Sequence, residues 1–292
     1  MLSVLIATYN FNTVPLVKEI QLQLSRVSIP YEIICFDDAS KSDFNTINQT
    51  INNIVHCTFI EHTKNLGRSK NRNLLAKTAK YDWLLFLDGD VLPVNNLFIK
   101  NYVALISTNN NKTYTGGIAY KNNETKHLLR YKFGKRSEVF SAFERNKNPE
   151  EYFFSSTFLI SKSSFNQIEF NEDLLNYGYE DLLFAKKLNQ KGIQIKHIDN
   201  QVYHLGIDTN EMFLAKSKKA VENLVVLIGD GLLNKNDTKI SKFYFKIKPF
   251  GLIPFLSLFE NYFKNKAVKS ASLFCYDVYR LIYLHRVFKN SK

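Results

Sequence analysis

The chain has 292 residues, 45% hydrophobic and 23% charged, which excludes a disordered polypeptide and allows one large domain with or without an extension. Its formal charge of +12 is uneven. From Lys239 onward eleven Lys or Arg stand against two acids, Glu260 and Asp277, so the last 54 residues carry +9 and the first 238 only +3. The basic character therefore belongs to the tail.

Residues 2–7 read as a buried strand that ends in Thr8-Tyr9-Asn10. Thr13, with Pro15 behind it, predicts a helix whose apolar face carries Val17, Ile20 and Leu24. Residues 31–36 predict a second strand, ending in Asp37-Asp38-Ala39-Ser40, and Ser42 or Asp43 starts a second helix. Residues 56–60 are a third strand. Asn65-Leu66-Gly67 opens a helix reaching Ala79, with Arg68, Lys70 and Arg72 in its first turns. The uncharged run 83–87 is a fourth strand, covered on both faces. Strands alternating with helices about every 25 residues predict βαβ units and an α/β fold with a mostly parallel central sheet flanked by helices.

Beyond Pro93 a helix is expected to Ser107, then a turn at Asn109-Asn110-Asn111, then a strand over 114–120 containing Gly116-Gly117. Paired glycines inside a strand imply that something approaches the backbone closely. The polar stretch 121–148 reads as a mobile loop with a short helix, and 152–160 as a strand. Residues 174–191 read as a helix with Glu180-Asp181 marking its start. Residues 193–198 and 201–205 suggest a short antiparallel pair ending in His204-Leu205-Gly206, followed by a helix over 211–228. The tail holds thirteen Phe or Tyr among its 54 residues, with Pro249 and Pro254 as breaks and a helix expected over 267–288.

Asp88-Gly89-Asp90 directly follows the fourth strand. In parallel sheets that edge is where ligands bind. Side chains two apart on an extended chain point the same way. Two such carboxylates repel unless a cation joins them, and a hard divalent ion with phosphate oxygens is a natural partner. The alternative is a plain Asp-Gly surface turn. The three cysteines, Cys35, Cys57 and Cys275, have no metal-binding spacing and suit buried, reduced thiols. No secretory signal opens the sequence, and no stretch reaches the roughly 20 apolar residues of a membrane span. The expected location is the cytoplasm.

Five motifs occur together and in order: Thr8-Tyr9-Asn10, Asp37-Asp38-Ala39-Ser40, Asn65-Leu66-Gly67 with Arg72-Asn73, Asp88-Gly89-Asp90 and Tyr179-Glu180-Asp181. In this the chain resembles the family 2 glycosyltransferases, with the glycosyltransferase A fold, over about its first 207 residues. The resemblance implies a nucleotide-sugar-binding catalytic domain over 1–207, a connecting helix over 208–238 and a helical basic and aromatic extension over 239–292.

It further implies an inverting transfer from a nucleotide-diphosphate sugar, with UDP favoured, to a glycan or lipid-linked acceptor in polysaccharide biosynthesis. Thr8 and Tyr9 would line the base pocket, and Asp38 would accept from the base ring N–H. Asp37 would cap its own turn. Arg72 would face the diphosphate, while Arg68 and Lys70 read as surface. Asp88 would meet the ribose or metal-bound waters. Asp90 and His204 would ligate Mn²⁺ or Mg²⁺. Gly117 would lie under the donor sugar, Glu180 would bind the acceptor, and Asp181 would be the general base. The Gln-x-x-Arg-Trp signature of processive synthases is absent from the sequence, which favours single additions.

A sugar-phosphate nucleotidyltransferase would share the sheet and the acid pair, but residues 8–15 contain none of the glycines its phosphate loop uses. A nucleic-acid-binding module would account for the basic aromatic tail, yet not for acid-lined strand ends. The tail itself suits peripheral contact with an anionic membrane, at the cytoplasmic face of the inner membrane. The alternative is that its aromatics pack on the catalytic domain or form a homodimer.

Overall fold

The computed structural model describes residues 1–106, 111–174 and 176–291. The expected turn at Asn109-Asn110 lies outside them. The chain divides into two units. The first comprises Met1–Lys121, Glu138–Leu175 and Glu180–Gly206; the second comprises Asn122–Ser137, Asn176–Tyr179 and Ile207–Lys292.

Among the described residues the first unit has ten strands: β1 (Leu2–Thr8), β2 (Tyr31–Asp37), β3 (Cys57–Glu61), β4 (Trp83–Asp88), β5 (Val91–Pro93), β6 (Lys112–Thr115), β7 (Ile118–Ala119), β8 (Thr157–Ser161), β9 (Gln194–His197) and β10 (Val202–His204). Seven form one sheet in the order β3-β2-β1-β4-β8-β6-β9, and three form a second in the order β5-β10-β7. β3, β2, β1 and β4 run parallel, β8 runs against both β4 and β6, and β9 is parallel to β6. The large sheet is thus mostly parallel, as the sequence predicts.

Successive residues of the central strands alternate between two apolar layers, as a strand buried on both faces requires. Val4, Ile6, Ile33, Cys35, Leu85 and Leu87 pack with helix Val14–Leu24 on one side. Leu5, Ile34, Phe36, Leu84 and Phe86 pack on the other, against Leu75 and a phenylalanine cluster that includes Phe158, Phe165 and Phe184. Each fully buried side chain of this size contributes about 1.5–3 kcal/mol relative to exposure. The parallel register brings Thr8 opposite Asp37 and Ala7 opposite Asp88, so the polar strand ends share one edge.

Several elements differ from expectation. The strand expected over 114–120 is interrupted at Gly116-Gly117 into β6 and β7, which belong to different sheets. Residues 193–198 and 201–205 do not fold back on each other. Instead the β6–β9 ladder continues past the glycines through Ile198 N to Thr115 O, Asn200 N to Gly116 O and Val202 N to Gly117 O, so β10 runs on beside β7 in the same direction. The stretch 121–148 carries a 3₁₀ turn and the helices Leu129–Ser137 and Ala142–Arg145. Helix Glu180–Gln190 starts at the Glu180-Asp181 mark and not at 174, with Gly178 and Tyr179 before it in left-handed φ values of 100° and 71°.

What crowds Gly116-Gly117 is the chain itself. Arg145 is fully buried; its Nη2 donates to Gly116 O (3.1 Å) and Ile198 O (2.8 Å), and its Nη1 to His197 Nδ1 (3.2 Å). Burial drives the His197 pKa down to about 4, so the ring is neutral and its Nε2–H is left to donate to Pro149 O. Arg145 therefore clamps both crossings between the two sheets.

In the second unit, Leu129, Phe213, Leu214, Ala267, Cys275, Tyr276 and Tyr279 form the core. The helix expected over 267–288 is two helices, Glu260–Ser270 and Leu273–Asn290, separated at Ala271 with a left-handed φ of 46°. Among the described residues no helix is long and apolar enough to cross a membrane.

Gly117 has φ of 87°, and a Cβ there would lie 2.4 Å from Arg145 Nη1. Gly117→Ala is therefore expected to lower stability by about 1–3 kcal/mol through strain and overpacking. Urea unfolding measures this, and a wild-type midpoint would contradict the clamp.

Candidate active site

Thr8 closes β1 and is buried; its carbonyl accepts from Asp38 N (3.1 Å). Tyr9, the next residue, is 59% exposed, and Asn10 turns the chain with a left-handed φ of 53°. Asp37 spends its carboxylate on its own turn, accepting from Ser40 N and Ser40 Oγ (both 2.7 Å) and from Asn45 Nδ2 (3.1 Å). Asp38 reaches across to the third motif, Asn65-Leu66-Gly67, in the loop ahead of helix Arg68–Thr78. Its Oδ1 accepts from Leu66 N (2.6 Å), its Oδ2 from Gly67 N (3.0 Å), and its carbonyl from Asn65 Nδ2 (2.9 Å). Two sequence motifs are thus one local structure. A carboxylate has about four acceptor sites, so these two bonds leave Asp38 with capacity for a ligand.

Helix Arg68–Thr78 carries two arginines four residues apart, hence on one face. Arg72 is 4% exposed and donates through Nη2 to Asp88 Oδ1 at 2.5 Å. Its guanidinium also lies 5.5 Å from the Phe170 ring centre, and its buried Nη1 has no hydrogen-bond partner. Burial opposes the charge on Arg72, but Asp88 and Asp181 outweigh it and hold its pKa above the usual value. One turn earlier, Arg68 Nη1 pairs with Glu180 Oε1 at 3.1 Å.

Asp181 sits in the first turn of helix Glu180–Gln190. Its Oδ2 accepts from Ser155 N (3.2 Å), and its buried Oδ1 has no partner. Burial, then the neighbouring Glu180 charge, push its pKa up to about 6, while Arg72 and Ser155 restrain the rise. A carboxylate poised there can take a proton near neutrality.

Asp90 and His204 come together through the small sheet. Val91 of β5 is in register with His204 of β10, and Leu205 N donates to Asp90 O (2.8 Å). His204 Nε2 then lies 3.7 Å from Asp90 Oδ2, while His204 Nδ1 is buried without a partner. A Cβ on Gly206 would fall 2.1 Å from Asp90 Oδ2, so the missing side chain makes room for the carboxylate. A Cβ on Gly89 would fall 2.5 Å from Thr8 Oγ1, so the ends of β1 and β4 pack too closely for any larger residue. Among the described residues no cluster of three or more His, Cys, Asp or Glu could hold a metal. One carboxylate and one imidazole fit a borderline divalent ion whose other positions are filled from outside the chain, as by diphosphate oxygens.

The structure therefore brings Arg72, Asp88, Glu180 and Asp181 into one charged cluster and Asp90 and His204 into a pair, with Thr8 and Asp38 on neighbouring strand ends. Gly117 lies against Arg145 and accepts from Val202 N of β10. Sequence reasoning missed the Arg68–Glu180 pair, although the four-residue spacing of Arg68 and Arg72 carried a signal for it. It also missed Gly206, whose signal was its place just after a strand-end histidine. Nothing in the sequence pointed to Ser155.

Residues 3–169 match the family model described as glycosyl transferase family 2. The chain is 24% identical over 238 residues to the hyaluronan synthase of Pasteurella multocida, a match covering 70% of this chain and 24% of that protein. It is 38% identical over 91 residues to an uncharacterized glycosyltransferase of Haemophilus influenzae, covering 31% of this chain and 29% of the relative. The chain thus spans about a quarter of the length of the hyaluronan synthase. Among solved structures it is similar to the mannosyltransferase PcManGT from Pyrobaculum calidifontis in complex with GDP-Man and Mn²⁺ (TM-score 0.59, 14% identity, 100% of this chain and 87% of that one). It is also similar to S. aureus TarS 1-349 (TM-score 0.50, 19% identity, 100% of this chain and 92% of that one). These structural likenesses show a shared glycosyltransferase A fold. With the family model covering more than half its length, the chain belongs to glycosyl transferase family 2.

Proposed function

We propose that this glycosyltransferase moves a hexosyl group from a UDP-sugar to a hydroxyl of a glycan or lipid-linked acceptor, with inversion at the anomeric carbon and with Mn²⁺ or Mg²⁺ bound by Asp90 and His204. The observation that carries this reading is Asp181, a carboxylate with a pKa of about 6 and a bare buried oxygen, in the cluster that also holds Asp88 and Arg72. The names of its relatives, hyaluronan synthase and chondroitin synthase, support a glycan acceptor. The Mn²⁺ complex of PcManGT supports a divalent ion.

In this reading the Tyr9 ring covers the nucleobase and Thr8 and Asp38 bind its edge. Asp88 takes the ribose side, Gly117 contributes backbone on the sugar side, and Arg72 directs its unpartnered Nη1 at the diphosphate. Glu180, held by Arg68, binds the acceptor. The proton of the acceptor hydroxyl passes to Asp181 as the oxygen bonds to the anomeric carbon. The bond from that carbon to the phosphate oxygen breaks on the opposite face, and its electron pair leaves with UDP. A bound divalent ion supplies Lewis-acid neutralisation of the departing diphosphate.

Two outcomes test these roles. Because Asp181 must be deprotonated to accept the proton, turnover should rise with pH, reach half its plateau near pH 6 and stay level above it. Asp181→Asn should cost about 10²–10⁴-fold in turnover and leave UDP affinity unchanged. A collapse of UDP binding in that variant would move Asp181 to the donor site.

Asp90→Ala should abolish transfer while circular dichroism shows a wild-type fold. Mn²⁺ should raise the melting temperature of the wild-type–UDP mixture and leave that of the variant unmoved. Wild-type activity in Asp90→Ala would remove the metal assignment.

A further inference from the structure

Residues 239–270 of the second unit carry an unusual surface. Helix Lys239–Ile247, the 3₁₀ turn Lys248–Phe250, the short helix Leu252–Ser257 and helix Glu260–Ser270 follow one another. Of helix Leu252–Ser257 only Ile253 is buried. Phe250 is 73% exposed, Phe255 62% and Leu258 77%, with Leu252, Phe259 and Tyr262 exposed beside them in sequence. Scattered exposed apolar residues are ordinary, but this density of large ones within 13 residues is not. Pro249, Gly251 with a left-handed φ of 68°, and Pro254 keep the segment from forming one long helix. The result is a run of short helical pieces that leaves Phe250, Leu252, Phe255, Leu258, Phe259 and Tyr262 exposed.

The charges nearby are of one sign. Lys242, Lys246, Lys248, Lys264, Lys266 and Lys269 are all exposed. The one acid of the segment, Glu260, is neutralised by Arg286 at 3.0 Å. A second copy of this surface would bring the same uncompensated lysines against these, so self-association there is opposed by like charge. A nucleic acid would pair with the lysines but leave the aliphatic Leu252 and Leu258 exposed to water. An anionic bilayer satisfies both halves: phosphate headgroups meet the lysines while the acyl boundary receives the apolar side chains.

We propose that this segment is a peripheral docking surface for an anionic lipid bilayer, with Phe250, Leu252, Phe255 and Leu258 entering the headgroup–acyl boundary and the flanking lysines lying on the phosphates. Contact is shallow, since no helix among the described residues can cross a bilayer. The surface stands on its own geometry and charge and is independent of the sugar-transfer reading.

Flotation of the full chain tests it, using vesicles of phosphatidylcholine alone and with 30% phosphatidylglycerol, on the order of a physiological anionic load. The wild-type chain should float with the anionic vesicles, and the bound fraction should fall at least about tenfold with neutral vesicles or in high salt, as screened charge requires. The exposed triple variant Phe250→Ser, Phe255→Ser and Leu258→Ser should lose flotation while keeping its circular dichroism spectrum and melting temperature. The variant Lys246→Glu, Lys248→Glu and Lys264→Glu should lose it as well. Failure of the wild-type chain to float with anionic vesicles would overturn the proposal, as would unchanged flotation of the serine variant. A wild-type dimer that the serine variant converts to monomer would assign the surface to a second copy instead.

Discussion

Arg72 is a cation almost without access to water, and it stays charged there because Asp88 lies against it. An unpaired buried charge of this kind costs about 3–5 kcal/mol, so the two side chains hold each other in place. Much of the first unit serves to make that meeting happen. Parallel pairing of β1 with β2 and β4 aligns the three strand ends. From the end of β2, Asp38 grips the backbone of Leu66 and Gly67, and this fixes where helix Arg68–Thr78 begins. The helix then delivers Arg72 to Asp88 at the end of β4 and Arg68 to Glu180. The phenylalanine cluster beneath, with Phe170 stacked on Phe184 and facing the Arg72 guanidinium, gives the cation a dry floor.

Three carboxylates in this unit meet three environments, and that difference allows different work. Asp88 is paired with a guanidinium. Asp90 faces an imidazole across a gap that the bare Cα of Gly206 leaves open. Asp181 has one backbone N–H, a buried free oxygen and an acidic neighbour, and burial holds it well above the usual carboxylate range. A carboxylate raised toward neutrality is suited to proton transfer, and carboxylates set against a guanidinium or an imidazole are suited to electrostatic work.

The sequence made the parallel half of the sheet legible because three of its four apolar runs ended abruptly in polar signatures, Tyr9-Asn10, Asp37-Asp38 and Asp88-Asp90. β1, β2 and β4 are covered on both faces, so hydrophobic run length alone located them, whereas the edge strand β3 buries Cys57 and Phe59 and exposes Thr58 and Ile60. The remainder depended on tertiary contacts that leave no local pattern. The break at Gly116-Gly117 reads as an approach by something large, but only the fold shows that it is Arg145, from a stretch that looked like a polar loop. The chain direction of β10 was misjudged because a short polar link, Asp199-Asn200, resembles a hairpin turn, whereas here the ladder beside it simply continues. In the tail, the apolar positions Val268, Cys275, Val278, Ile282 and Leu284 suggest one helix over 267–288; Ala271 divides it, and some rings of the tail are buried while others, such as Phe250 and Phe255, face water. Of the site, the acidic positions were visible as motifs. Their partners Arg68, Ser155 and Gly206 were not, because each is joined to its carboxylate only across the fold.

The most direct measurement is the release of free nucleoside diphosphate when the protein is incubated with a panel of nucleotide sugars, with and without Mn²⁺. Release from a UDP-sugar that needs the metal and quickens with a glycan acceptor is the predicted result. No release from any donor, or release indifferent to metal, would contradict the account of Asp90, His204 and Asp181 as parts of one transferase site.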